Sequence, residues 1–193
     1  MGLYELLLFV HIAATVVWVG SGFFSGVLGA GYSRDADDVA LLRFAADQER
    51  LAPRLFIPAS LTVLVFGIAL VIESDAWSFD ELWVVLGLLG FLATFFTGLL
   101  LLKPATERIR AEMEREGGRM TPQLRQDVRK VIVEARVDQV VLFLVILDMV
   151  AKPTRDDVEL LILMAAVLAA GIAYIVTRLR AIDAEAGSAP ATA

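Results

Sequence analysis

The stretch that decides the architecture is "EARVDQVVLFLVILDMVAKP", residues 134–153. From Val140 to Leu147 every residue is apolar, yet Glu134, Arg136, Asp138 and Asp148 stand around that run. A bilayer-spanning helix needs about 20 mostly apolar residues, so this segment is short and polar for a span. If it stays out of the membrane, the chain crosses four times. Arg178 and Arg180 then fall outside, and "VVLFLVILDMV" is stranded in water. If it crosses, there are five spans.

The rest of the chain is less ambiguous. It has 193 residues, 58% of them hydrophobic, and a mean hydropathy of +0.72. Soluble domains use about 45–50% apolar residues. Four further runs account for the excess: Leu3–Gly31, Leu55–Ile72, Leu82–Leu102 and Val158–Val176. The expected fold is therefore all-α, a polytopic transmembrane bundle of five spans. These are placed at 3–31, 55–73, 82–103, 136–152 and 157–178, with a helical hairpin over 105–135 extending spans three and four. Residues 1–180 read as a single transmembrane helical domain and 181–193 as a flexible tail. The start, "MGLYE", is acidic where a secretory signal is basic, and its apolar run is too long for one.

Charge gives the orientation. Cytoplasmic loops collect Lys and Arg. With the N-terminus outside, fifteen of these residues lie inside and two, Lys152 and Arg155, lie outside. Tyr4, Trp77 and Trp83 fall at the expected outer interface, where amphipathic rings prefer to sit. Net charge of -6 argues against nucleic acid as a partner. With no cysteine, disulfides and thiolate metal sites are excluded. Arginine outnumbers lysine 14 to 3, a bias of GC-rich prokaryotic genomes. The expected location is a prokaryotic plasma membrane, with the bilayer as the main partner.

Two polar segments read as ordered. "RDADDVALLRFAADQERLAP" suits a short helix with a modest apolar stripe of Val39, Leu42 and Ala46, on the membrane surface or as a solvated linker. In the long loop, Arg108–Glu112 and Arg110–Glu114 have helical i,i+4 spacing. Gly117-Gly118 ends that helix, and Thr121-Pro122 offers a cap and first turn for the next. Pro122 to Ala151 then forms one helix of about 45 Å at 1.5 Å per residue, and Pro104 is a place for a kink.

His11 is the only histidine, and it lies in an apolar run. At helical spacing it shares a face with Thr15, Trp18 and Gly22. Three small-residue ridges predict close helix packing: Gly22–Gly26–Ala30, Gly90–Thr94–Gly98 and Ala165–Ala169–Ala173. An ionisable group inside a membrane is costly and points to function by default. His11 lies about 12 Å below the outer edge of its span, and Trp18 about 22 Å. Asp148 falls in the last turn before Pro153, at the end of the helix dipole that disfavours an anion. Lys152 is expected to pair with it. His11, Asp148 and Lys152 thus share the outer half, and form a polar cluster if spans one and four are neighbours.

His11, Trp18 and Gly20, together with the late "DMVAKP", resemble the integral-membrane proteins grouped as domain of unknown function 2269. The resemblance covers nearly the whole chain and implies a membrane bundle without a settled activity. More distantly, the first-span His and Trp are similar to those of the copper-resistance D proteins and of haem-binding membrane protoporphyrinogen oxidase. That likeness implies haem b at His11, and a needed lysine on another helix, for which Lys152 is the candidate. The expected cofactor-binding residues are His11, Trp18, Asp148 and Lys152, with His11 as the metal ligand. A bis-histidine haem within one protomer is impossible with one histidine, which leaves a Met or Lys second ligand, or a haem shared in a homo-oligomer. Beside this stand a proton-coupled or small-solute transporter and an assembly protein with a docking hairpin. No phosphate loop, nucleophile elbow or metal-spaced histidine pair is present.

Overall fold

The computed structural model describes residues 2–34 and 38–188, all of whose regular structure is helical. Its helices are α1 (Leu3–Arg34), α2 (Asp38–Leu51), α3 (Ile57–Glu73), α4 (Leu82–Thr97), α5 (Lys103–Arg115), α6 (Pro122–Ala151) and α7 (Val158–Ser188). Two π-helical turns, Ala52–Phe56 and Gly98–Leu102, join α2 to α3 and α4 to α5 without a break. Four continuous helical stretches are long and apolar enough to cross a membrane: Leu3–Arg34, Asp38–Glu73, Leu82–Arg115 and Val158–Glu185. The α6 helix is long enough, but Glu134, Arg136, Asp138 and Asp148 interrupt its apolar run.

The prolines explain the two π turns. A proline inside a helix lacks its N–H and its ring clashes with the carbonyl four residues back. Pro58 and Pro104 each sit two residues after a π turn. The wider turn moves that carbonyl aside, and i→i−5 bonds appear from Ile57 N–H to Ala52 O and from Lys103 N–H to Gly98 O. The chain therefore runs on as helix through Pro53, Pro58 and Pro104, the last a place where a kink is expected from sequence.

The α6 helix is the hub. It packs against α1, α4, α5 and α7, while α3 packs along α1. Glycines let the backbones approach. A Cβ on Gly90 would stand 2.4 Å from Val145 Cγ2, and one on Gly22 2.7 Å from Gln139 Nε2. Of the expected ridges, Gly22, Gly90 and Thr94 face neighbours, but Gly26 and Gly98 meet open space. The Ala165–Ala169–Ala173 ridge is exposed. Instead α7 meets α6 through Gly171, Ile175, Leu179 and Ile182, because the larger side chains bury more apolar surface there.

The charged end of the bundle is a folded headpiece with its own core. Leu41, Ile109, Leu124, Val128 and Ile132 are buried together, with Tyr32, Phe44 and Met113 packed around them. Ion pairs lace its surface: Arg125–Asp38 at 2.6 Å, Arg110–Glu49 at 3.1 Å and Lys130–Asp183 at 2.6 Å. The α2 helix packs on this core and is not a solvated linker; its inward face is Leu41, Leu42, Phe44 and Ala45, so of the expected stripe Leu42 turns inward while Val39 is exposed. The α7 helix continues through 181–188, with Ile182 buried, so the tail expected from 181 is helical at its start; 189–193 lie outside the described residues.

The α5–α6 turn follows the sequence closely. Gly117 and Gly118 take φ of +63° and +78°. The Leu124 N–H donates to Thr121 Oγ1 at 3.1 Å, and Pro122 opens α6, which ends at Ala151. Arg110 pairs with Glu114, while Glu112 pairs with Arg115 and not Arg108.

Candidate functional site

Within the apolar zone most hydroxyls are satisfied by their own helix. Thr15 Oγ1 donates to His11 O, Ser21 Oγ to Trp18 O and Thr94 Oγ1 to Phe91 O. Without water, such back-bonding is how isolated Ser and Thr remain paired. Groups that break this pattern are Gln139, midway along α6, and Asp148 and Trp83 toward the end distal to the headpiece.

His11 is half-buried where α1 meets α3. Its Nδ1 lies 2.9 Å from the Val63 carbonyl. A carbonyl only accepts, so Nδ1 carries the proton. No hydrogen bond to Nε2 is present among the described residues. Gly67 gives the ring room, since a Cβ there would stand 3.0 Å from His11 Cε1. Two turns on, the Trp18 ring meets Phe91 of α4 at 5.4 Å. Gly22 opposite Gln139 and Gly29 opposite Ile132 show that α1 and α6 run antiparallel. Carried outward, that register sets His11 level with Val150, two residues from Asp148. The α1 and α6 helices are thus neighbours.

Asp148 is only 1% exposed, and neither carboxyl oxygen has a hydrogen-bond partner. Its side chain lies against α4, where a Cβ on Gly87 would be 3.4 Å from Oδ2 and 2.2 Å from Met149 Cε. The expected Asp148–Lys152 ion pair is absent among the described residues. Pro153 is the reason. The residue before a proline avoids right-handed helix, and Lys152 adopts φ 48°, ψ 58° instead. An i,i+4 pair needs helical geometry at both ends, which Lys152 lacks. Its N–H still caps Asp148 O at 2.7 Å, but its ammonium turns to the tryptophans. Lys152 Nζ stands 3.8 Å from the centre of the Trp77 ring and 5.3 Å from that of Trp83. The two rings meet edge to face, 5.4 Å apart at 89°. Trp83 is 8% exposed and its Nε1 is unpartnered.

His11, Asp148 and Lys152 therefore lie toward one end of the molecule without forming one polar cluster, and Trp18 lies near the middle of α1. His11 turns to α3, Trp18 to Phe91, Asp148 to Gly87, and Lys152 to an aromatic corner. No group of three His, Asp or Glu side chains able to hold a metal ion occurs among the described residues. The sequence reading assigned Trp77 and Trp83 to the interface and missed them as Lys152's partners. Their signal was a Trp pair six residues apart across a turn, beside the one lysine of the distal loops.

The family model described as a predicted integral membrane protein, DUF2269, matches residues 5–153. The chain belongs to that family. The match takes in every residue from His11 to Lys152 and stops before α7. No curated protein and no solved structure matches the chain.

Proposed function

We propose that this DUF2269 member is a five-span protein of a prokaryotic plasma membrane, with its N-terminus outside and the headpiece in the cytoplasm. In this reading α6 is the fourth span. Its 30 residues reach about 45 Å, and its polar groups turn toward neighbouring helices. The Lys and Arg asymmetry supports the orientation.

We further propose that His11 would hold a haem-type redox cofactor on the distal, outer half of the bundle. One observation carries this: Nδ1–H is committed to the Val63 carbonyl, which orients a neutral ring and leaves the Nε2 lone pair for a metal. A backbone carbonyl on the other nitrogen is the usual second partner of a metal-ligating histidine. A further donor would come from an amine, a thioether or another copy of the chain. Bound haem would supply one-electron chemistry; the protein's part would be to present the His11 Nε2.

The test is the absorption spectrum of detergent-purified protein from iron-sufficient cells. A Soret band that disappears in His11→Ala and persists in Asp148→Asn is expected. A colourless, iron-free preparation would refute the reading.

The orphaned Asp148 favours a second reading, a proton-coupled transporter in which this carboxyl is the relay. Proton uptake by proteoliposomes, lost in Asp148→Asn while His11→Ala retains it, is the expected result. Unchanged uptake in Asp148→Asn removes that reading.

A further inference from the structure

The distal end carries a feature that neither reading uses. Trp77 and Trp83 form two walls at 89°, and the resident of the corner is a cation, Lys152 Nζ, 3.8 Å from the Trp77 centroid. Two perpendicular indole faces are the arrangement that binds alkylated ammonium groups, because the ring quadrupoles attract positive charge without requiring a hydrogen-bond acceptor. Trp83 is buried and Trp77 half-buried.

Its surroundings select for cations. Glu5, Glu73, Asp75, Asp80, Asp156, Asp157 and Glu159 are exposed around this end, against Lys152 and Arg155 as the bases. A concentration of one sign of charge raises the local concentration of the opposite ion. Lys152 itself is half-buried at the end of α6, so its ammonium is a resident that a competing cation can displace.

We propose that the Trp77–Trp83 corner is a binding site for a quaternary-ammonium cation, which displaces the Lys152 ammonium that fills it in this structure. The ligand is a free tetraalkylammonium-type solute or the choline headgroup of a lipid; both present the same trimethylammonium surface. The proposal is independent of haem at His11 and of proton coupling.

Tryptophan fluorescence tests it. The chain has three tryptophans, so Trp18→Phe leaves only the two of the corner. This variant is placed in phosphatidylglycerol nanodiscs and titrated with tetramethylammonium chloride, with sodium chloride as the ionic-strength control. The expected result is a saturable emission change with tetramethylammonium alone. Removing the competing amine in Lys152→Gln tightens binding by about 2- to 30-fold, the range a cation–π contact of ordinary strength commands. Trp77→Leu abolishes the change. In discs containing phosphatidylcholine, loss of the response identifies the lipid headgroup as the source, and an undiminished response identifies a free solute. Absence of a saturable change in both the parent and Lys152→Gln overturns the proposal. So does an affinity unaffected by Trp77→Leu, and the milder Trp77→Phe, which keeps an aromatic wall, guards that result against misfolding.

Discussion

Lys152 is the non-glycine residue with positive φ among the described residues. The left-handed conformation costs a side-chain-bearing residue about 1–2 kcal/mol, and such strain persists where the surroundings over-determine it. Here Pro153 forbids the helix to continue and the tryptophan corner receives the amine. Lys152→Gly and Lys152→Gln both delete the ammonium but differ in backbone preference. Gly is therefore expected to be the more stable variant by about 1 kcal/mol, read from thermal unfolding in detergent; equal midpoints would show that residue 152 is unstrained. Asp148 makes the opposite case to an ordinary buried carboxylate. With no hydrogen bond to lose, Asp148→Leu should leave stability unchanged or raise it, by up to about 1–3 kcal/mol for removing an orphaned polar group. A large destabilisation would mean that the carboxyl is a structural partner. The sequence marked both residues as out of place. It could not show where the amine points, because one φ angle next to a proline reverses the i,i+4 expectation.

At the scale of elements, helix ends were legible wherever a side chain acts on its own neighbours. Thr121, Pro122, Gly117 and Gly118 all stand where local stereochemistry puts them. Thr121→Ala removes the bond from Leu124 N–H and should cost about 1 kcal/mol, measured as a lower unfolding midpoint of the headpiece. The start of α7 is held differently. Asp157 accepts from Thr154 N–H and Thr154 Oγ1, both at 2.7 Å. These bonds favour the charged form and lower its pKa from the ordinary 3.8. A depressed folded pKa means the stabilisation is complete above that ordinary value and is lost as pH falls through the lower one. Amide protection in the first turn of α7, corrected for the intrinsic exchange rate, should therefore fall below pH of about 4 in the parent and be low at all pH values in Asp157→Ala; protection that ignores this pH range contradicts the cap. The prolines were harder to read. Whether a proline ends, kinks or merely widens a helix depends on how the turn before it relaxes, which no residue type specifies. The buried face of α2 was illegible for a related reason. Leu41 is buried only because α5 and α6 fold over it, and that is a tertiary fact.

For the whole molecule, the account turns on α6, the most polar of the long helices and the one with the most neighbours. Hydropathy found the four apolar stretches because lipid asks only for apolar surface. It is weak for α6 because a helix surrounded by protein can keep Glu134, Arg136, Asp138 and Asp148 away from lipid. The loop charges, fifteen bases on one side and two on the other, carried the five-span reading where hydropathy did not. The absence of cysteine allows a direct test, since any single cysteine is then a unique label. Cysteines at Ser78, Arg119, Thr154 and Ala184 would be probed on intact cells with a membrane-impermeant maleimide. Ser78→Cys and Thr154→Cys should label from outside, and Arg119→Cys and Ala184→Cys only after lysis. Labelling of Thr154→Cys only after lysis, with Ala184→Cys reactive on intact cells, would contradict α6 as a span and return the chain to four crossings.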